Sequence, residues 1–246
     1  MSETPKSRQA DKSVDRNISF FRDNLQSYGE NIRELDTYVA IRASTNQALT
    51  GIRRLLDIGN GGVFDYDVGL VPSILALDLF LDDIDQSSYP AHVTFKTGSA
   101  LEIPAPDGSF DGVLMVMLLH HLAGETVAES LQNVRRALGE AMRVMTPGGK
   151  LIIVESCVPE WFYAFERVVF RPASRLINLV LSHPITIQYP VDRIVEIAAR
   201  HSSQIEVLNI PKGRWVLQYG FKFPSALTPV NVYRLTVTKP LVEAAP

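Results

Sequence analysis

Apolar positions divide the chain into two regimes. Between Ile18 and Leu49 they recur at helical spacing (Phe20, Phe21 and Leu25, then Ile32, Leu35, Val39, Ile41 and Leu49), with a break at Tyr28-Gly29, so two helices are expected. After Gly51 the spacing gives way to short apolar runs ending in turn residues: Arg54–Ile58, Ser73–Leu77, Val93–Phe95, Gly112–Met117 and Leu151–Val154. Such runs read as parallel strands buried on both faces. Before the last of them a stripe of Val127, Leu131, Val134, Leu138, Met142 and Met145 predicts a helix, stopped by Thr146-Pro147-Gly148-Gly149. Strands alternating with helices specify an α/β sheet. Ile205–Ile210 and Val230–Thr238 add two β-rich segments. The connection between them is too short and too rich in Gly and Pro for a crossover helix, so that pair is expected to be antiparallel.

Residues 1–16 mix charges of both signs without apolar periodicity and are expected to form a tail outside the fold. Residues 17–246 then make one domain: N-terminal helices over 17–50, a sheet, and an insertion over 159–190. Composition narrows the classes. With 46% hydrophobic and 21% charged residues the chain is globular in type. Lys and Arg number 24 against 27 Asp and Glu, a net charge of −3, which argues against nucleic acid as a partner. A single Cys157 and the absence of an apolar stretch near the start point to the reducing cytoplasm. The longest apolar run, Val113 to Leu119, is far below the roughly 20 residues of a membrane span. The expected partners are a small-molecule acceptor and, at most, a second copy in a homodimer.

The first strand runs into Asp57-Ile58-Gly59-Asn60-Gly61-Gly62, where missing side chains let a ligand approach the backbone. Asp78 then ends the second strand at the spacing where an acid accepts hydrogen bonds from ribose hydroxyls. The simpler alternative is a tight turn, with Asp78 capping the next helix. Turn, spacing and strand context together favour a nucleotide-like cofactor.

From about Arg54 to Glu155 the sequence resembles the class I S-adenosylmethionine-dependent methyltransferases, in particular their small-molecule subgroup. The blocks that carry the resemblance are Asp57 to Gly61, Asp78, Gly98-Ser99-Ala100-Leu101-Glu102-Ile103-Pro104, Asp107 to Val113, Leu119-His120-His121-Leu122, and Arg143 to Leu151. The resemblance implies a Rossmann-like, seven-stranded, mostly parallel sheet whose last strand is antiparallel, with S-adenosylmethionine as cofactor. It implies that Asp57 and the backbone of Gly59 to Gly61 surround the methionine part and that Asp78, with Leu79 beside it, binds the ribose. Ser99, Ala100 and Leu101 would edge the adenine, with Met117 or Leu118 near the sulfonium. Two features depart from the family: Ser99 stands where an Asp is usual, and only Val63–Pro72 separates the glycine turn from the second strand, which squeezes the usual helix. Arg42, one turn after Tyr38, is the candidate cation for the cofactor carboxylate; a solvated arginine is the plainer alternative.

His120 and His121 follow the fourth strand and Glu155 ends the fifth, at the carboxyl edge where ligands bind in open α/β sheets. A carboxylate beside an imidazole orients it and raises its basicity, as removal of a hydroxyl or enol proton requires. Adjacent histidines suit no helical metal pair, so no metal is expected. The density of aromatics from Trp161 to Phe170, followed by Leu176, Ile177, Val180 and Leu181, suggests a lid over an apolar acceptor, with core packing as the alternative; His183 is a weaker candidate. Together these readings point to methyl transfer onto a small aromatic or apolar metabolite, oxygen favoured over nitrogen or carbon. The competing readings are an NAD(P)-dependent oxidoreductase and a cofactor-binding scaffold without chemistry. Against the first, no Tyr here is followed by Lys four residues on.

Overall fold

The computed structural model describes residues 36–81, 84–168, 186–218 and 221–241. The first expected helix, the charged tail and the part of the insertion carrying Phe170, Leu176, Ile177, Val180, Leu181 and His183 lie outside them.

The five apolar runs after Gly51 all form strands: β1 (Arg54–Ile58), β2 (Ser73–Asp78), β3 (Val93–Thr97), β4 (Phe110–Val116) and β5 (Met145–Cys157). Towards the C-terminus come β6 (Ile205–Ile210), β7 (Trp215–Gln218), β8 (Phe221–Pro224) and β9 (Asn231–Thr238). Seven of them make one sheet in the order β3-β2-β1-β4-β5-β9-β6. The first five are mutually parallel, and β9 is inserted antiparallel between β5 and β6. The expected antiparallel pair is therefore present. The connection within it carries a two-stranded hairpin, β7 with β8, that the Gly- and Pro-rich sequence did not reveal.

Period-two alternation gives the sheet two apolar faces. Leu56, Ile58, Val113, Met115, Leu151 and Ile153 face the main core, which α2 (Val127–Val144) and α4 (Val191–Ala198) cover. Leu55, Leu114 and Ile152 face the other side, with Phe64, Tyr66 and Ile74. The helix α2 starts where Thr126 and Glu129 form a reciprocal capping box. It ends at Val144, and the chain passes straight into β5. The Thr146-Pro147-Gly148-Gly149 segment, expected as a stop after the helix, is an irregularity inside that strand: Phe110 pairs with Met145, and Gly112 with Lys150. Gly148 takes a left-handed φ of 76° there. Residues 160–168 form a further helical segment, α3.

The second expected N-terminal helix is α1 (Asp36–Ala48), which buries Thr37, Ile41, Thr45 and Ala48, a stripe at helical spacing. Ile41 packs against Val154, Ile210 and Val232. A buried cation completes the attachment. Arg234 of β9, 5% exposed, donates to Ser44 O at 2.7 Å, Ser44 Oγ at 3.1 Å and Gln47 Oε1 at 3.3 Å. Among the described residues no helix is long and apolar enough to cross a membrane.

Replacing Arg234 with Ala removes these charge-assisted bonds between β9 and α1, so stability in urea should fall by about 2–3 kcal/mol. Amides of α1 should lose exchange protection first. Unchanged protection there would mean that the apolar stripe alone holds the helix.

Candidate functional site

Three carboxylates sit at the carboxyl ends of β1, β2 and β5, and each is wired to a turn. Asp57 lies on the Leu55 face of β1 and is 2% exposed. Its Oδ2 accepts from Asn60 Nδ2 at 2.6 Å and from the Tyr66 hydroxyl at 2.9 Å. Burial raises its pKa from 3.8 to about 7; the bonds from Asn60 and Tyr66 oppose that rise, while Asp65 and Asp78 add to it. Burial, then the neighbouring Asp57, pushes the Tyr66 hydroxyl up as well, so it remains a donor.

The turn after β1 is made of glycines in conformations other residues avoid: Gly59 at φ 79°, Gly61 at 55° and Gly62 at 83°. A Cβ on Gly59 would meet Leu118 Cδ1 at 2.6 Å, so the turn after β4 packs directly on the turn after β1. Asp78 bridges the next gap, its Oδ2 accepting from Gly61 N and its Oδ1 from Phe80 N, both at 2.9 Å. Each oxygen keeps a second lone-pair direction. Gly98 N donates to Asp78 O, bringing Ser99 beside this acid. Ser99 Oγ accepts from Leu101 N at 3.1 Å; Ala100 is buried and Leu101 half-buried. Leu79 is exposed.

No α-helix separates β1 from β2, only the 3-10 turn Val68–Leu70. An aromatic cluster stabilises the short connection: Phe64 packs edge-on against Tyr66, Tyr89 and Phe95, and the Tyr89 hydroxyl donates to Gly62 O at 2.8 Å. Asn60, Tyr66 and Tyr89 were not among the expected site residues. Asn60 gave a signal by standing between the glycines, and Tyr66 by lying with Asp65 and Asp67 in the squeezed segment before β2; Tyr89 gave none.

The second part of the site lies two strands away. β4 ends at Val116 and is followed by Met117, a left-handed residue at φ 52° whose N–H still donates to Val154 O, and the chain then turns through Leu119–His121. Glu155 on β5 is completely buried. Its Oε2 accepts from Leu119 N at 2.8 Å and its Oε1 from Ser156 N at 2.7 Å. His120 Nδ1 lies 2.7 Å from the same Oε1, and the two histidine rings are 4.1 Å apart. The structure thus brings His120 and Glu155 into contact, with the His121 ring tilted at 43° against that of His120. Cys157 is buried beside them, its thiol pushed well up by burial and by Glu155.

Arg42 lies exposed on α1, outside the hydrogen-bonded group of Asp57, Asn60, Tyr66 and Asp78. In the insertion Tyr163 is buried in the main core, whereas Trp161, Phe165 and Val168 form an exposed stripe along α3. Among the described residues no group of three or more His, Cys, Asp or Glu gathers in a way that could hold a metal ion.

Residues 56–153 match the family model of the methyltransferase domain. A demethylmenaquinone methyltransferase of Tropheryma whipplei is 35% identical over 95 residues, 38% of this chain and 36% of that protein. The match thus spans little more than a third of that curated relative. Among solved structures, a methyltransferase of Haloferax volcanii, seen with the Trm112 activator, superposes with a TM-score of 0.60 at 12% identity, covering 93% of this chain and 100% of that one. The N-methyltransferase NodS of Bradyrhizobium japonicum, in complex with S-adenosyl-L-homocysteine, does so with 0.55 at 10% identity, covering 85% and 91%. At these identities the two structures show the fold.

The perturbed Asp57 gives a direct test. An acid whose folded pKa is raised binds more protons folded than unfolded, so its contribution to stability falls as pH rises from about 4 to about 7, then levels. Asp57→Asn keeps an oxygen for Asn60 and Tyr66 but carries no charge. Its melting temperature relative to the native chain should climb across that window and plateau above it. A pH-independent difference would show that Asp57 is ionised throughout.

Proposed function

We propose that the chain, whose residues 56–153 match the family model of the methyltransferase domain, is an S-adenosylmethionine-dependent enzyme that methylates a small hydroxylated aromatic acceptor with His120 as general base. The observation that carries the reading is the 2.7 Å contact between His120 Nδ1 and Glu155 Oε1 at the carboxyl edge of the sheet. The carboxylate fixes the proton on Nδ1, which leaves Nε2 with the lone pair. Glu155 is itself held by two backbone N–H groups, so the imidazole is anchored to the rigid centre of the fold.

The residues around the glycine turn fit the cofactor. The left-handed glycines bring bare backbone to a ligand, Asp78 offers a lone pair on each oxygen to a ribose diol, and Ser99 to Leu101 lie next to Asp78 for the base. Leu118 and Met117 link that region to the histidine turn. When bound, S-adenosylmethionine supplies an electrophilic methyl on a sulfonium leaving group. The protein's part is to align the acceptor with it and to take a proton, and alignment carries most of the rate.

A ring carbon beside an ionised hydroxyl is the acceptor atom we favour. Removing the hydroxyl proton through His120 Nε2 pushes charge onto the adjacent carbon; a carbon–carbon bond then forms as the carbon–sulfur bond breaks, and the ring loses its hydrogen as a proton. The relative from Tropheryma whipplei, named as a demethylmenaquinone methyltransferase, supports a quinol-like ring. Oxygen, the first expectation from the sequence, remains the second reading because the same base would serve it.

Anaerobic incubation with S-adenosylmethionine and 1,4-dihydroxynaphthalene should give a methylated product, and NMR separates a ring methyl from a methoxy group. Calorimetry should show S-adenosyl-L-homocysteine binding and no binding of NAD. His120→Ala should lower turnover by about 10²–10⁴-fold while homocysteine-adduct affinity stays constant. Combined with Glu155→Gln it should cost less than the product of the single losses. Full turnover in His120→Ala across pH would eliminate the base.

A further inference from the structure

We propose that the face carrying α3 docks on the surface of an anionic lipid bilayer, with lipid phosphates taken up by a cluster of arginines and the apolar edge of the helix set among the headgroups. The first feature behind it is a stripe on α3. Trp161, Phe165 and Val168, at helical spacing, are 67%, 59% and 79% exposed. Their helix is anchored all the same, because Tyr163 on its other side is buried in the main core. A single exposed apolar residue is ordinary, whereas three along one edge of an anchored helix mark a contact surface.

The second feature is an open cavity of about 560 Å³ beside that stripe, lined by α2, α3 and α4, with Val168 belonging to both. Arg135 enters it from α2, Arg167 from α3, and Arg193 and Arg200 from α4 and the turn that follows. Glu196 is the one acid on its wall. Glu196 and, from α3, Glu160 both pair with Arg193, at 3.2 and 3.3 Å. Arg135, Arg167 and Arg200 make no ion pair among the described residues; Arg167 lies over the Tyr163 ring, 5.8 Å from its centroid. Unneutralised guanidinium groups around one cavity repel each other, and an anion there relieves the repulsion. A guanidinium fork matches two phosphate oxygens at once, so a phosphodiester suits the cavity.

Taken singly, each feature has a plainer occupant: a free anion for the arginines, another protein for the stripe. Side by side they call for a surface that offers negative charge and apolar depth together, which is the interface of an anionic bilayer. The tryptophan in the stripe agrees, since its ring favours the headgroup level. The face also lies near the sheet edge of His120 and Glu155, because α3 begins three residues after β5 ends and α2 begins six residues after His121. Docking therefore brings that edge close to lipid, from which an apolar acceptor would be drawn. The docking itself requires no particular acceptor and goes beyond the methyl-transfer reading.

The test is sedimentation of the full chain with vesicles of phosphatidylcholine alone and of phosphatidylcholine mixed equally with phosphatidylglycerol. The chain should bind the mixed vesicles about tenfold or more tightly than the neutral ones, and less so as salt rises. Arg135→Gln together with Arg200→Gln should weaken that binding about 25-fold, from roughly fivefold for each charge. Trp161→Ser together with Phe165→Ser should weaken it about tenfold. All four side chains are exposed, so both double variants should melt at the native temperature. In the Trp215→Phe chain, where Trp161 is the remaining tryptophan, emission should shift to shorter wavelength with the mixed vesicles alone. Absent or equal binding to the two vesicles, or undiminished binding in either double variant, would overturn the proposal. Saturable binding of glycerol 3-phosphate without vesicle binding would make the cavity a site for a free anion instead. A lipid-free dimer that Trp161→Ser with Phe165→Ser dissociates would make the stripe a contact between copies, and overturn it equally.

Discussion

A carboxylate with no access to water, Glu155 at the end of β5, sets the arrangement of the chain around the ends of β4 and β5. A buried carboxylate left without donors would cost several kcal/mol, so the surrounding chain must supply them. It does so with Leu119 N, Ser156 N, the Ser156 hydroxyl and His120 Nδ1. To place Leu119 N there, β4 must end abruptly, which it does just before the left-handed Met117. That turn presses Leu118 onto Gly59, and His120 O takes up Ile187 N from a segment far along the chain. One carboxylate thereby fixes the relation of the glycine turn, His120 and the segment around Ile187.

The same logic recurs at β1 and β2. Asp57 and Asp78 each take donors from the turn between the strands, and burial raises the pKa of both. Their acidity is weakened in order to shape a loop, which runs against the usual preference for exposed carboxylates. The short connection to β2 makes the need acute. Without an α-helix to close it, the loop relies on Asp57, Tyr66, Tyr89 and Phe64. The squeezed spacing is visible in the sequence; the aromatic cluster that stabilises it is not, because its members lie on separate segments without a shared period.

How much of the fold is legible in the sequence depends on the range of each interaction. The strands are readable because apolar runs and turn residues are local, and their boundaries move by only a residue or two except at β5, which starts six residues before the expected Leu151. The glycine turn is readable because backbone conformation demands glycine wherever it occurs. Thr146-Pro147-Gly148-Gly149 reads as a helix stop and is a bulge, because Gly and Pro mark irregular backbone without saying which of the two it is. The β7–β8 hairpin, Ser156 and Gln188 escape the sequence for a different reason. Their roles depend on partners that sequence spacing does not bring together, as when Gln188 reaches Ser156.

This division has a consequence for how such a fold can change its chemistry. The turns after β1 to β3 are held by backbone donors, left-handed glycines and the buried Asp57 and Asp78, so substitutions there disturb the fold itself. At the ends of β4 and β5 the contacts run through side chains, among which His120, Ser156 and Gln188 can be exchanged while Glu155 still finds the backbone donors of Leu119 and Ser156. Residues 56–153, which match the methyltransferase-domain model, contain the first group and His120, whereas Glu155, Ser156 and Gln188 lie beyond them, so a fold of this kind can keep the one while the other changes.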